Sequence, residues 1–247
     1  MTSRNLLFDI RRYESVSSTM DVCREMARTS ASEGIVVLAE EQLAGRGRMG
    51  HTWFSPRGQA VYASILLRPV LSLQQSSWLT LLAALAVKDT LDDLAPTHSV
   101  TIKWLNDINL NRRKVCGILV ETSLTESNLD YAILGIGLNV NTDFASASPD
   151  VRNRATSLKQ ELGKEFDREA ILQTLLQHLA HRYNHLQSSR HSPAADYAQH
   201  VETLGQSVRA QAGDEIISGI ALDVDEWGAL QIQTNTGLRS VSFGHIL

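Results

Sequence analysis

The chain has 247 residues, of which 43% are hydrophobic and 20% are charged, a composition typical of a globular protein with one sizeable core. Its formal net charge of −4 provides no global field for holding nucleic acid or an acidic membrane, so any recognition of an anion must be local. No apolar run approaches the ~18 residues that a membrane-spanning helix needs. The sequence therefore gives no support to a membrane role.

The cysteine content and the amino terminus bear on the cellular compartment. Cys23 and Cys116 are the two cysteines of the sequence. Residues 1–12 carry no apolar stretch followed by a small-residue cleavage site. We therefore predict a cytoplasmic protein with reduced thiols.

Helices and strands alternate in the first part of the chain. A helix is predicted to begin near Ser18, because this hydroxyl residue is followed three positions later by an acid. Compact apolar runs predict strands at 34–39 and 61–67. Leucines and alanines at helical spacing predict a long buried helix over 73–94, which Pro96 ends.

The rest of the chain is predicted to contain further strands and one more long helix, and the sequence pattern changes after Leu204. Apolar runs between turn residues predict strands at 100–104, 108–110, 114–123 and 129–140. Residues 141–153 lack apolar periodicity and are predicted to be a loop, whereas 167–186 has helical spacing. After Leu204, short strand-like pieces between glycine-containing turns predict a small barrel or sandwich. We expect two domains, residues 1–204 and 205–247.

The most unusual segment is a basic, glycine-rich loop between two predicted strands, residues 42–53. Three glycines alternate with Arg46 and Arg48, and the segment contains no acid. Glycines let backbone N–H groups approach an anion, and guanidinium groups match carboxylate and phosphate geometry. The spacing fits neither a P-loop nor a dinucleotide fingerprint. Two interpretations stay open, a lid over a phosphorylated ligand and an exposed hairpin with surface arginines.

Two later segments also carry polar residues in a strand context. If Lys114 begins a buried strand, its ammonium lies at the mouth of the sheet as a point charge for a phosphate, although a surface lysine is the alternative. Asn139 follows two glycines at the end of a predicted strand. Its amide offers a donor and an acceptor to a purine edge, with simple close packing of the glycines as the alternative.

Four motifs together resemble the bacterial biotin protein ligases, from about Ser15 to the carboxyl terminus. They are the Gly-Arg-Gly-Arg-x-Gly loop, Lys-Trp-x-Asn-Asp at 103–107, Lys-x-x-Gly-Ile-Leu-Val-Glu at 114–121 and Gly-x-Gly-x-Asn-Val at 135–140. The resemblance implies an α+β fold related to the lipoate ligases and the class II synthetases. A catalytic domain with a mixed β-sheet flanked by helices would precede a small SH3-like β-barrel.

The resemblance also implies the residues of the site, by their matching positions. It assigns biotin binding to Ser18, Thr19, Gln42, Arg46, Arg48, Trp53, Lys114 and Gly117. It assigns nucleotide binding to Arg48, Trp53, Asn106, Asp107, Lys114 and Asn139. It assigns catalysis to Lys114, Arg48 and Arg46.

The implied activity is the ATP-dependent biotinylation of a lysine on a biotin carboxyl carrier protein, through biotinyl-5′-AMP, with Mg²⁺ held by ligands that the sequence leaves unknown. The first step joins a carboxylate to a phosphate, so it requires charge neutralisation and alignment rather than a protein nucleophile. Biotin's carboxylate is already ionised at neutral pH, so this step needs no general base. The acceptor of the carrier amine's proton stays open, with solvent and Asp107 as alternatives.

The chain departs from the family pattern at Met49, where arginine is common, and at Leu105, where proline is common. About fifteen residues precede the first motif, too few for a helix-turn-helix domain, so we expect neither DNA binding nor repressor activity. The oligomeric state is open, with a homodimer as one alternative. Rival interpretations are a lipoate or octanoate ligase or transferase, which needs an apolar acyl tunnel, and a non-catalytic regulator that binds biotin or a nucleotide.

Overall fold

The structure, a computed structural model, describes residues 5–125 and 128–247. Its strands are β1 Asp9–Val16, β2 Ile35–Gln42, β3 Ala60–Leu67, β4 Val100–Lys103, β5 Asp107–Leu110, β6 Arg113–Thr125, β7 Asn128–Asn139, β8 Ser207–Ala212, β9 Glu215–Val224, β10 Leu230–Thr234, β11 Gly237–Val241 and β12 His245–Ile246. Its α-helices are α1 Thr19–Arg28, α2 Trp78–Leu94, α3 Pro149–Arg154, α4 Leu158–Leu162, α5 Arg168–Ser189 and α6 Ala194–Ala198. Short 3-10 helices lie at Arg48–Gly50 and Gln74–Ser77.

A seven-stranded mixed sheet forms the centre of the molecule. Its strand order is β1-β2-β3-β7-β6-β5-β4, in which β1 and β2 are parallel and the other neighbours are antiparallel. Every residue of β3 is buried, because this strand lies between β2 and β7 and has helices on both faces. This confirms the mixed sheet flanked by helices.

Alternate residues of the central strands face different helices. Val37 and Leu66 pack with the buried side of α1, whereas their neighbours Val36 and Ile65 belong to the core that contains α2 and α5. This is the period-two alternation that a sheet covered on both faces imposes. The helix α2 is buried nearly all round, as its leucine and alanine content predicts.

The second sheet is antiparallel, with strand order β11-β10-β9-β8-β12. In the part of the chain that the structure describes, no pairing between β11 and β12 closes this sheet into a barrel. Two tryptophans tie it to the central core. Trp78 stacks on Trp227 with ring centroids 5.5 Å apart and donates to the Glu226 carbonyl, and Trp104 donates to the Gly228 carbonyl.

The structure corrects the sequence-based elements in two places. Residues 141–153 were expected to form a loop, but α3 begins at Pro149 with Ser148 as a cap that accepts from the Val151 amide. A helix of one and a half turns is too short to show apolar periodicity. Ser18 does precede α1, but its hydroxyl makes no capping hydrogen bond.

Three further observations concern the helices, the cysteines and the backbone. Among the described residues, no helix is both long and apolar enough to cross a membrane. Cys23 and Cys116 are both buried and free. The peptide bond between Trp104 and Leu105 is cis.

We expect Leu85→Ala to lower the free energy of unfolding by about 2–5 kcal/mol, because the fully buried side chain leaves a cavity beneath α2. Urea denaturation measures the change. Leu222→Ala is the matched control, since Leu222 is 52% exposed and truncation there should cost less than about 0.5 kcal/mol. Equal effects of the two substitutions would contradict the position of the core.

Candidate active site

A cleft of about 620 Å³ opens beside the central sheet. Its walls come from the start of α1, the glycine-rich loop, the connection between β4 and β5, and the facing parts of β6 and β7. All of the residues assigned by the resemblance line it: Ser18, Thr19, Gln42, Arg46, Arg48, Trp53, Asn106, Asp107, Lys114, Gly117 and Asn139. The fold thus brings together positions that are spread over 122 residues of sequence, from 18 to 139.

One end of the cleft is a buried polar pocket. The Gln42 side-chain oxygen accepts from both the Thr19 amide and the Thr19 hydroxyl, at 2.9 and 3.1 Å. The Ser64 hydroxyl donates to Thr19 Oγ1 at 2.8 Å, and Gln42 Nε2 donates to Ser55 Oγ at 3.2 Å. These bonds fix the orientation of Thr19 and Gln42.

Ser18 lies beside this network without joining it. Its side-chain oxygen is buried and has no hydrogen-bond partner within the described residues. The residue is 1% exposed. A buried hydroxyl without a partner costs about 1–3 kcal/mol, so this atom is suited to a polar ligand group.

The floor of the cleft is a flat platform for Trp53. Gly117 and Gly137 are directly paired on β6 and β7. A Cβ added at Gly117 would lie 2.7 Å from the indole, and one added at Gly137 would lie 2.6 Å from it. The indole can occupy this position only because both strands carry glycine there. Trp53 Nε1 is buried and unpartnered among the described residues.

The positive charges of the cleft are held by polar partners. Lys114 Nζ lies 2.6 Å from Asp107 Oδ1 and 5.3 Å from the centre of the Trp53 ring. Arg48 donates to Asn106 Oδ1 at 2.8 Å, and Asn106 in turn donates to the Ile118 carbonyl at 2.7 Å. Burial lowers the pKa of the Arg48 guanidinium from its usual value. The group is therefore poorly solvated, which strengthens its attraction to an anion.

Arg46 is held differently. Its guanidinium donates two hydrogen bonds to the Asp21 carboxylate, both at 2.7 Å. The same carboxylate accepts from Arg24 at 2.6 Å, and Arg24 also pairs with Glu121. Hydrogen bonds from Arg46, followed by those from Arg24, lower the pKa of Asp21 to about 2. The Asp21 carboxylate is therefore ionised at neutral pH, where it carries the charge that pairs with Arg46.

Asn139 also lines the cleft. It is buried at the end of β7, where the backbone turns into the segment that leads to α3. The side chain of Phe54 packs on Phe144 of this segment, with ring centroids 6.0 Å apart. The glycine-rich loop and the segment after Asn139 therefore meet through an aromatic contact.

Sequence reasoning did not assign several groups that complete the cleft. Lys103 lines it and donates to the Ile246 carbonyl at 3.3 Å. His245 Nδ1 contacts Met49 Sδ at 3.2 Å, so β12 supplies part of the wall. Lys103 stands in the Lys-Trp-x-Asn-Asp motif and was open to assignment from the sequence. The sequence gives no sign that His245 lines the cleft, because its position there depends on how the two sheets pack.

The fold is thus a mixed sheet flanked by helices, and its cleft joins a buried polar pocket to a group of cations. Residues 13–139 match the family model described as the Biotin/lipoate A/B protein ligase family, and residues 203–247 match the Biotin protein ligase C terminal domain. The chain belongs to the biotin/lipoate protein ligase family.

Relatives and solved structures agree with this membership. The chain is 35% identical to the bifunctional ligase/repressor BirA of Bacillus subtilis, over 93% of this chain and 70% of that protein. It is 32% identical to the biotin–[acetyl-CoA-carboxylase] ligase of Mycobacterium tuberculosis, over 94% of this chain and 85% of that protein. The biotin protein ligase of Aquifex aeolicus, solved in complex with biotin and ATP, matches with a TM-score of 0.80 and 28% identity over 97% of both chains.

We expect Gly137→Ala to lower the free energy of unfolding by about 1–3 kcal/mol, because the new methyl group overlaps the indole of Trp53. Urea denaturation of the single and double variants with Trp53→Ala forms a double-mutant cycle. In the Trp53→Ala background, Gly137→Ala should lower the free energy of unfolding by much less. An equal cost in both backgrounds would show that the platform does not seat Trp53.

Proposed function

We propose that this chain activates biotin with ATP as biotinyl-5′-AMP and transfers the biotinyl group to a lysine of a biotin carboxyl carrier protein. One observation carries the proposal. A single cleft joins a buried polar pocket, with Ser18 Oγ unpartnered among the described residues, to a cluster of cations around Lys114 and Arg48. The first part suits a compact polar head and the second suits a carboxylate beside a phosphate.

The polar pocket favours biotin over other acyl groups. A ureido ring carries both N–H donors and a carbonyl acceptor, and burial requires a partner for each of them. Ser18, Thr19 and Gln42 supply hydroxyl and amide groups at one end of the cleft. A lipoyl or octanoyl group has no such head, and the named relatives with high coverage are biotin ligases.

Adenylate formation depends on neutralising charge. Two unit negative charges at 4 Å repel by ~4 kcal/mol at an effective dielectric constant of 20. Lys114 and Arg48 lie in the same cleft on either side of the Asn106–Asp107 connection, where both side chains can face the carboxylate and the α-phosphate. Arrival of these anions offers Lys114 a second anionic partner besides Asp107. Trp53 covers the ligand and excludes water from the mixed anhydride.

The donor set also fits Mg²⁺ bound with ATP. Magnesium commonly takes one or two protein carboxylates and completes its shell with phosphates and waters. Among the described residues no group of three His, Cys, Asp or Glu side chains could hold a metal alone. Asp107 lines the cleft beside Lys114 and is the carboxylate that we assign to this role. When bound, the ion would neutralise phosphate charge.

The second step requires a carrier lysine to attack the mixed anhydride. The amine forms the new amide bond, AMP leaves with the phosphate oxygen, and the proton passes to Asp107 or to solvent. Our proposal includes a catalytic domain of residues 1–204, a second domain of residues 205–247 and a cytoplasmic location. A homodimer is compatible with it.

Incubation of the protein with ATP, biotin and a biotin carrier domain tests the function directly. We expect the carrier mass to rise by one biotinyl group, and we expect no gain for a carrier whose target lysine is replaced by arginine. Lipoate in place of biotin should give no product. If the carrier gains no mass in the presence of biotin, the protein would be assigned a binding function and not a transfer activity.

We expect Lys114→Ala to slow pyrophosphate release by at least about a hundredfold, since it removes a cation that faces developing charge. The measurement is pyrophosphate release with saturating ATP and biotin, together with urea denaturation to show that the fold persists. Lys159→Ala is the control, because Lys159 pairs with Glu165 outside the cleft. A wild-type rate for Lys114→Ala would refute the assignment.

We expect Arg48→Gly to release biotinyl-5′-AMP at least about tenfold faster, because it removes a charged hydrogen bond between the loop and Asn106. Filtration of the protein loaded with labelled adenylate, without carrier, measures the release rate. Arg57→Gly is the control, since Arg57 pairs with Glu14 and Glu41 away from the cleft. Unchanged retention in Arg48→Gly would show that the loop is not a lid.

A further inference from the structure

The loop that carries Arg46 is a hydrogen-bonded hairpin. Arg46 and Thr52 form an antiparallel bridge, and the Gly47 amide donates to the His51 carbonyl at 2.7 Å. The Trp53 amide donates to the Gly45 carbonyl at 2.8 Å. Because the two arms are bonded to each other, a contact that fixes Arg46 also fixes the position of Trp53.

Asp21 provides such a contact from the first turn of α1. Both carboxylate oxygens accept from the Arg46 guanidinium, in the bidentate geometry that gives arginine–carboxylate pairs their directionality. Arg24 also donates to Oδ1 of this carboxylate and is itself held by Glu121 on β6. The carboxylate therefore has little freedom to leave Arg46.

This contact links the loop to the part of the helix that forms the polar pocket. Thr19 and Asp21 belong to the same helical turn. Thr19 faces Gln42 in the pocket, while Asp21 reaches the hairpin. Arg48 attaches the same hairpin to Asn106, in the connection between β4 and β5 that forms another wall of the cleft. The hairpin thus has two polar attachments, one to each wall.

We propose that Asp21 is a positioning residue, which holds the Arg46 hairpin and with it Trp53 over the bound adenylate, so that Arg46 acts as an anchor rather than as a contact to the reacting atoms. The inference rests on the proposed formation of biotinyl-5′-AMP. It assigns a function to a residue of α1 that the sequence marks only as the acid of a helix start.

Partial exposure limits the size of the effect. The side chains of Arg46 and Asp21 are 37% and 38% exposed, so water and salt screen the pair. Removal of one partner of an exposed ion pair of this kind changes an equilibrium constant or a rate by up to about fivefold. Loss of Asp21 should therefore speed the release of the adenylate by about fivefold, with little change in the rate at which the adenylate forms.

The test uses Asp21→Asn in the full chain. Release of labelled biotinyl-5′-AMP is measured without carrier, pyrophosphate release gives the rate of formation, and urea denaturation reports folding. Glu25→Gln is the matched control, because Glu25 forms an exposed ion pair with Arg28 on the same helix. Asp21→Glu keeps the charge and should retain the adenylate better than Asp21→Asn.

Two comparisons test whether Asp21 acts through Arg46. In a double-mutant cycle, Asp21→Asn should add nothing to Arg46→Gln if the two residues act as one pair. Added salt should speed release in the wild type and have less effect in Asp21→Asn.

Each outcome decides a different point. Wild-type retention by Asp21→Asn, or full additivity with Arg46→Gln, would overturn the positioning role. If the wild-type protein forms no biotinyl-5′-AMP from biotin and ATP, the proposed function fails instead. Faster release in Glu25→Gln as well would attribute the effect to general loss of charge on α1.

Discussion

The cleft must attract two anions at once, and this requirement governs the arrangement of its charges. Cations that are to meet a carboxylate and a phosphate would repel one another if they stood alone. The structure gives Lys114 a partner in Asp107 and Arg48 a partner in Asn106, while Asp21 pairs with Arg46, the anchor of the hairpin. These partners come from two parts of the chain, α1 and the adjacent residues Asn106 and Asp107, and the fold of the central sheet brings them together.

The central sheet also supplies the flat surface on which the ligand cover rests. Gly117 and Gly137 are neighbours only because β6 and β7 pair in a register that places them opposite each other. A shift of one residue would put a larger side chain beneath Trp53. The ladder of backbone hydrogen bonds in these two strands therefore determines the shape of the ligand site as well as the stability of the core.

Much of the fold and a central group of the residues that line the cleft could be predicted from the sequence. The buried helix α2 carries a long run of leucines and alanines, and the motifs identify residues that do lie together. The contact between Arg46 and Asp21 could not be predicted, because a charged residue on a helix does not reveal its tertiary partner. The helix at Pro149 was missed for a related reason, since six residues carry no readable period. The roles of the individual cleft residues stay predictions until the variants are measured.

The contact of Met49 with His245 has a consequence for the order in which the site is made. These residues are 196 positions apart, and Lys103 meets Ile246 in the same region. During synthesis on the ribosome, the strands of the polar pocket emerge long before β12 does, and domains fold from the amino terminus as they emerge. A nascent chain would therefore possess the pocket and the hairpin before it possesses the wall beside Met49. The cleft is complete only when the carboxyl-terminal sheet has docked.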